Sequence, residues 1–162
     1  MCLTATAKET KNLRRRLKRN GFVWMYKIVR RIWDFDKEKY VLKTPYMNKE
    51  IKTGWFVSNR KEEKVDFASP PVETSPLNGD IYDFEYVKAN KKRKIVDIDK
   101  GIHIFTNEKA AKIQAMSSSK IIKVKCYEKD FVAAGTFDLD GDSAVFMKVF
   151  VPKDEYDNAL KS

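Results

Sequence analysis

The chain has 162 residues, 43% of them hydrophobic and 12% aromatic, and carries a net charge of +10. That is the length of one ordinary domain with enough apolar content for a core, which excludes wholesale disorder. Two cysteines and a single histidine exclude a disulfide framework and a Cys/His zinc cluster, so no metal or cofactor is expected.

No apolar run approaches the ~18–20 residues needed to cross a bilayer, and the opening lacks the charged-then-apolar order of a secretory signal. The expectation is a soluble cytoplasmic protein with no membrane partner. Charge is concentrated at one end: residues 1–31 hold ten Lys or Arg (Lys8, Lys11, Arg14, Arg15, Arg16, Lys18, Arg19, Lys27, Arg30, Arg31) against one acid, Glu9. The remainder is nearly neutral. A local positive field of this kind attracts polyanions over about a Debye length, ~8 Å at physiological salt.

In chain order, Thr6 followed by Glu9 has the spacing of a capping box, and Leu13 and Leu17 share one helical face. Asn20-Gly21 supplies a stop. The pattern predicts a basic helix over about 7–19 with "LTATAKET" as a flexible lead-in. Two leucines bury little, so residues 1–20 read as a basic arm on a single domain spanning 21–162. "FVWMYKIVRRIW" reads as a strand, with Trp24, Tyr26 and Ile28 on its core face. "KYVLKT" follows across the "DFDKE" turn as a hairpin partner, and "TGWFVS" is a third strand. Residues 68–80, with three prolines, read as an internal loop. "DIYDFEYV", "NKKRKIVDID" and "GIHIF" read as strands, with Gly101 as a turn. A helix capped by Thr106 or Asn107 runs to about Met116. "SSSKIIKVKCY" alternates at period two. "SAVFMKVFVP" reads as one last strand before a closing helix that starts at Pro152. The fold class is α+β: a mainly antiparallel curved sheet with one packed helix, a basic N-terminal helix and a short C-terminal helix.

Several short motifs occur in order: "MCLTA" at the start, "YKIV" at 26–29, "TPY" at 44–46, Gly54-Trp55, "GIHIF", "FVAAG" at 131–135 and "AVFMKV" at 144–149. Together they resemble small uncharacterised proteins of phages and prophages that open with Met-Cys-Leu and carry a Gly-Ile/Phe-His-x-Phe step into a helix. This chain departs from that pattern in its arginine run. The resemblance implies a phage-type accessory context and carries no activity.

The strongest functional feature is the basic segment. Lys11, Arg14, Arg15, Arg16, Lys18 and Arg19, continued by Lys27, Arg30 and Arg31, form a candidate nucleic-acid-binding surface, because guanidinium forks grip phosphates bidentately. Lys91, Lys92 and Arg93 extend it if the fold brings them near; otherwise they are a solvated turn. Trp24, Tyr26, Trp33, Trp55 and Phe56 are candidate stacking rings, with Tyr46 and Trp55 the better placed for exposure. An acidic protein surface is the alternative partner, and a solvated helix without a specific role is the third reading. Oligomeric state is not legible.

Catalytic candidates are weak. Cys2 would become an N-terminal nucleophile if Met1 were removed, but no glycine-rich oxyanion opening follows it. Cys126 shares the apolar register of Ile122 and Val124 and reads as an inert thiol. His103 alternates against Ile102 and Ile104 and reads as a histidine bonded to backbone, with an acid/base role as the alternative. A Cys126–His103 pair requires the two strands to be neighbours. "DLDGD" at 138–142 lacks the closing glutamate of a calcium loop and reads as an Asp-Gly hairpin turn. The sequence reading is therefore a non-enzymatic accessory protein that binds nucleic acid or a host nucleoprotein, with inhibition of a host system as its context. A small Cys/His-dependent hydrolase or transferase is the alternative.

Overall fold

The computed structural model describes residues 3–45, 48–61, 64–65, 67, 95–136 and 142–161. Within them the chain forms β1 (Leu3–Thr6), α1 (Ala7–Asn20), β2 (Phe22–Asp34), β3 (Lys39–Lys43), β4 (Glu50–Ile51), β5 (Gly54–Val57), β6 (Ile95–Ile98) and β7 (Ile102–Phe105). After these come α2 (Glu108–Gln114), β8 (Ser119–Tyr127), a 3-10 turn at Glu128–Asp130, β9 (Phe131–Thr136), β10 (Ser143–Phe146), β11 (Lys148–Val151) and α3 (Lys153–Leu160). The described strands join one antiparallel sheet in the order β5-β11-β8-β2-β7-β10-β9-β1-β6, with β3 on β2 and β4 on β3. Among the described residues the fold is α+β, with a mostly antiparallel sheet and three helices.

Local signals set the helix ends. Thr6 accepts a hydrogen bond from the Glu9 amide at 3.1 Å, and Gly21, at φ 81°, donates to the Leu17 carbonyl at 2.8 Å. Asn107 caps α2 by accepting from the Ala110 amide at 2.8 Å. The "DFDKE" turn is held by Asp34, whose carboxylate accepts from the amides of Asp36 and Lys37.

Three features differ from the sequence reading. The first is the N-terminal segment. Leu3–Thr6 is a strand between β9 and β6, with Leu3 and Ala5 fully buried. Leu13 and Leu17 enter the main core with Val23, Met25, Cys126 and Phe131. Strand β1 pairs with β9 only as far as Ala5↔Gly135, then turns into α1. One turn later the Thr10 hydroxyl takes over the next position: it donates to the Ala134 carbonyl (3.1 Å) and accepts the Ala134 amide (3.0 Å). Such buried backbone groups are costly to leave unpaired. Residues 3–20 are thus built into the sheet and core, and a boundary at residue 20 separates no appendage.

The second is β2. Its core face is Val23, Met25 and Val29; Tyr26 and Ile28 lie on the opposite face in a small cluster with Phe105, Ala110 and Ala111 beneath α2, and Trp24 is 40% exposed. Alternation separates the two faces of a strand, but tertiary packing decides which is inside. Lys27 falls on the core register and is buried.

The third is "SAVFMKVF", which is two strands. Strand β10 pairs with β7 and β9, whereas β11 pairs with β5 and β8. At the junction the Met147 amide donates to the Asp130 carbonyl and its own carbonyl accepts from Ser58. The chain exchanges neighbours at Met147 without a glycine or proline to announce it.

Candidate nucleic-acid interface

On α1, Thr10, Leu13 and Leu17 face inward, which turns Lys8, Lys11, Arg14, Arg15, Arg16, Lys18 and Arg19 outward, all exposed. A strip of inward positions spaced three and four residues apart fixes this orientation, so the charged face follows from the buried one. Lys11, Arg14, Arg15 and Lys18 line an open cleft of about 640 Å³ whose other wall includes Lys64 and Lys129. Glu128 is the one carboxylate among its described lining residues. The Arg14 guanidinium sits 5.2 Å from the Phe131 ring centroid on the cleft floor.

On the sheet face opposite the one that receives Leu13 and Leu17, four strands carry a row of side chains in register: Trp55↔Phe150, Phe150↔Lys125 and Lys125↔Trp24. Phe22 and Tyr127, opposite each other one step along, widen the row. The rings touch edge to face or tilted, with centroids 5.5 Å apart for Trp55–Phe150 and Trp55–Tyr127 and 6.2 Å for Phe22–Trp24. Lys125 lies over Phe22 and Trp24, and Lys148 lies 4.7 Å from the Trp55 centroid. Trp24 and Trp55 remain 40% and 45% exposed. At a strand spacing of about 4.8 Å, three steps set the two tryptophans about 14 Å apart. Lys129 joins the two surfaces, because it lines the α1 cleft and holds its ammonium 5.6 Å from the Trp55 ring.

The other sequence candidates fall elsewhere. Lys27 is buried, so as a phosphate contact it is corrected: strand alternation points it inward with Met25 and Val29. Arg31 is engaged by its own fold, donating from Nε to the Leu160 carbonyl at 2.6 Å and stacking over Tyr40 at 3.4 Å. Arg30 is half-buried at the point where β2 passes from β8 to β3. Trp33 packs edge to face on Tyr40, and Phe56 is in the core. Cys2, Tyr46, Lys91, Lys92, Arg93, most of "DLDGD" and the 68–80 loop lie outside the described residues.

Cys126 is fully buried in the apolar core, and burial pushes its thiol well above the ordinary range. Strand β2 runs between β8 and β7, so Cys126 and His103 are not on neighbouring strands and the proposed pair is corrected. His103 lies on the face of β7 opposite Ile102 and Ile104, which enter the main core. It is buried, with Nε2 3.0 Å from the Ile98 carbonyl and Nδ1 3.2 Å from the Gly101 carbonyl. Both neighbours are acceptors, and a neutral imidazole has one N–H, so the shorter Nε2 contact is the natural donor. Burial, with a smaller contribution from the Lys27 charge, lowers its pKa to about 4 against the favourable carbonyl contacts. The ring is therefore neutral at pH 7. The turn that delivers it needs glycine: Gly101 has φ +115°, and a Cβ there would meet Val145 Cγ1 at 2.4 Å.

The signal for the aromatic row was present as alternation in β2 and β8, but its completion by Trp55 and Phe150 depends on strand order. Comparisons with protein-family models, curated proteins and solved structures return no match. Among the described residues no helix is long and apolar enough to cross a membrane.

Proposed function

We propose that this protein is a non-enzymatic nucleic-acid-binding protein that takes a single strand across the α1 cleft and the neighbouring aromatic row. The observation that carries the reading is Lys129, which lines the cleft with Lys11, Arg14, Arg15 and Lys18 of α1 and also lies over Trp55 at the end of the Trp24–Lys125–Phe150–Trp55 row. Phosphates would be held by Lys11, Arg14, Arg15 and Lys18, and unstacked bases would lie on Trp24 and Trp55. A duplex buries its base faces and cannot use the rings, so the row favours single strands. The phage-type accessory context and the inhibition of a host system rest on the sequence resemblance and belong to this reading. So does a curved sheet, supported by one core cluster drawing side chains from β3, β7, β9 and β11 together.

The test is a titration of intrinsic tryptophan fluorescence with single-stranded DNA and RNA. Stacking quenches the wild-type emission, and alanine at a stacking ring costs about 1–3 kcal/mol per base. Trp24→Ala and Trp55→Ala should each weaken binding about tenfold while leaving the melting temperature near wild type. Unchanged affinity in both variants would remove the aromatic row from the interface.

A further inference from the structure

Strand β2 touches β7 at a single register pair, Tyr26↔Phe105, and meets β3 only from Arg30 onward. Between these points that edge of β2 has no strand partner among the described residues, and a cavity of about 410 Å³ opens there. That volume suits a small organic molecule. Its apolar surface includes Ile28, Phe56 and Phe105, and its polar wall includes Lys27, Lys49 and His103.

Lys27 is the informative group. Its side chain lines the cavity at 7% exposure, and it makes no hydrogen bond or ion pair with any described residue. Asp99 also lines the cavity without pairing with it. Burial lowers its pKa to about 8, with no compensating carboxylate. The amine therefore remains largely protonated at neutral pH, a buried cation without a counter-ion among the described residues. Unpaired charge in an apolar surround is costly unless a partner arrives. At the mouth Lys49 is held by the Val57 carbonyl (2.9 Å) and Asn59 Oδ1 (3.3 Å), and it lies over the Phe56 ring. His103 has its ring nitrogens against backbone carbonyls, and the buried Arg60, also on the wall, donates to the Lys100 carbonyl.

We propose that this cavity is a binding site for a small organic monocarboxylate, with Lys27 as its counter-ion and the apolar part of the ligand against Ile28, Phe56 and Phe105. Lys49, Arg60 and Lys100 line the cavity as well, so charge alone does not select against phosphate; the apolar surface of Ile28, Phe56 and Phe105 is what favours an organic acid over an inorganic anion. This site lies apart from α1 and the aromatic row, so its test is independent of the nucleic-acid reading.

The test is an NMR titration of the amide resonances with benzoate, benzyl alcohol and inorganic phosphate at pH 7. Benzoate should move the signals of Gly101, Ile102 and His103 and bind at least tenfold more tightly than benzyl alcohol, its neutral isostere, or phosphate. Lys27→Met should remove the preference for benzoate over the alcohol. Equal affinity for acid and alcohol in the wild type, phosphate binding as tightly as benzoate, shifts confined to other regions, or benzoate affinity unchanged in Lys27→Met would each overturn the assignment.

Discussion

Replacing Lys27 with methionine should raise the unfolding free energy by about 3 kcal/mol at pH 7, an unusually large gain for one substitution. The magnitude follows from the shift of the amine from 10.5 to about 8, caused by burial alone, at 1.36 kcal/mol for each pH unit. The sign follows from proton linkage. Between pH 10.5 and about 8 the unfolded chain binds the proton and the folded chain resists it, so stability falls as the pH drops through that window. Below about pH 8 the folded amine is protonated too, and the whole cost persists. Methionine fills similar space and carries no charge, so the difference between variant and wild type should be full at pH 7 and shrink toward pH 10.5. In a thermal melt it corresponds to roughly 6–12 °C for a chain of this size. A difference near zero, or one that does not change with pH, would show that Lys27 is solvated or paired. A residue that weakens the fold this much at the wall of a cavity fits the pattern in which function is kept at the expense of stability.

Deleting residues 1–20 should abolish cooperative folding. The deletion removes four buried apolar side chains, Leu3, Ala5, Leu13 and Leu17, and strips β6 of its strand partner among the described residues. It also leaves the Ala134 backbone without the Thr10 hydroxyl. Truncating each buried leucine alone costs about 2–5 kcal/mol, against a total stability of about 5–15 kcal/mol for an ordinary domain. A milder probe of the same contact is Gly135→Ala. A Cβ there would lie 1.9 Å from the Thr4 carbonyl oxygen and 2.7 Å from the Ala5 Cα. Backbone cannot move aside as a flexible side chain can, so the cost should reach the upper end of the overpacking range, about 3 kcal/mol. Circular dichroism with denaturant titration reads both. A truncated chain that melts cooperatively near the wild-type midpoint would return residues 1–20 to the status of an arm.

Much of the fold is legible locally. The ends of α1 and α2 are set by residues whose side chains or backbones close the last turns, and Thr6, Gly21 and Asn107 can be read without knowing the fold. What is not legible depends on partners distant in sequence. "LTAT" alternates at period two, yet four residues cannot declare a strand until β6 and β9 flank it. In β2 the alternation was visible, but the buried face was not. Lys27 stands in register with Val23, Met25 and Val29, and a lysine at a core position was the missed sign of the cavity. The outward basic face of α1 was readable from Leu13 and Leu17 alone. The aromatic row requires the strand order β5-β11-β8-β2, which places Trp55 beside Phe150 and Tyr127, far along the chain. Alternation alone places His103 opposite Ile102 and Ile104, while its position beside Lys27 follows only from the packing.

The most direct measurement of the nucleic-acid reading is fluorescence anisotropy of a labelled single strand and of its duplex, each titrated at several salt concentrations. It would compare the wild type with the triple variant Arg14→Ala/Arg15→Ala/Lys18→Ala, whose side chains are exposed and leave β1 and the core intact. The expected result is tighter binding of the single strand and a linear loss of log affinity with log salt. With each neutralised phosphate contributing about 0.7 to the slope on single strands, the triple variant should flatten it by about 2. Absence of binding at low salt, or a slope unchanged in the triple variant, would contradict the role assigned to α1.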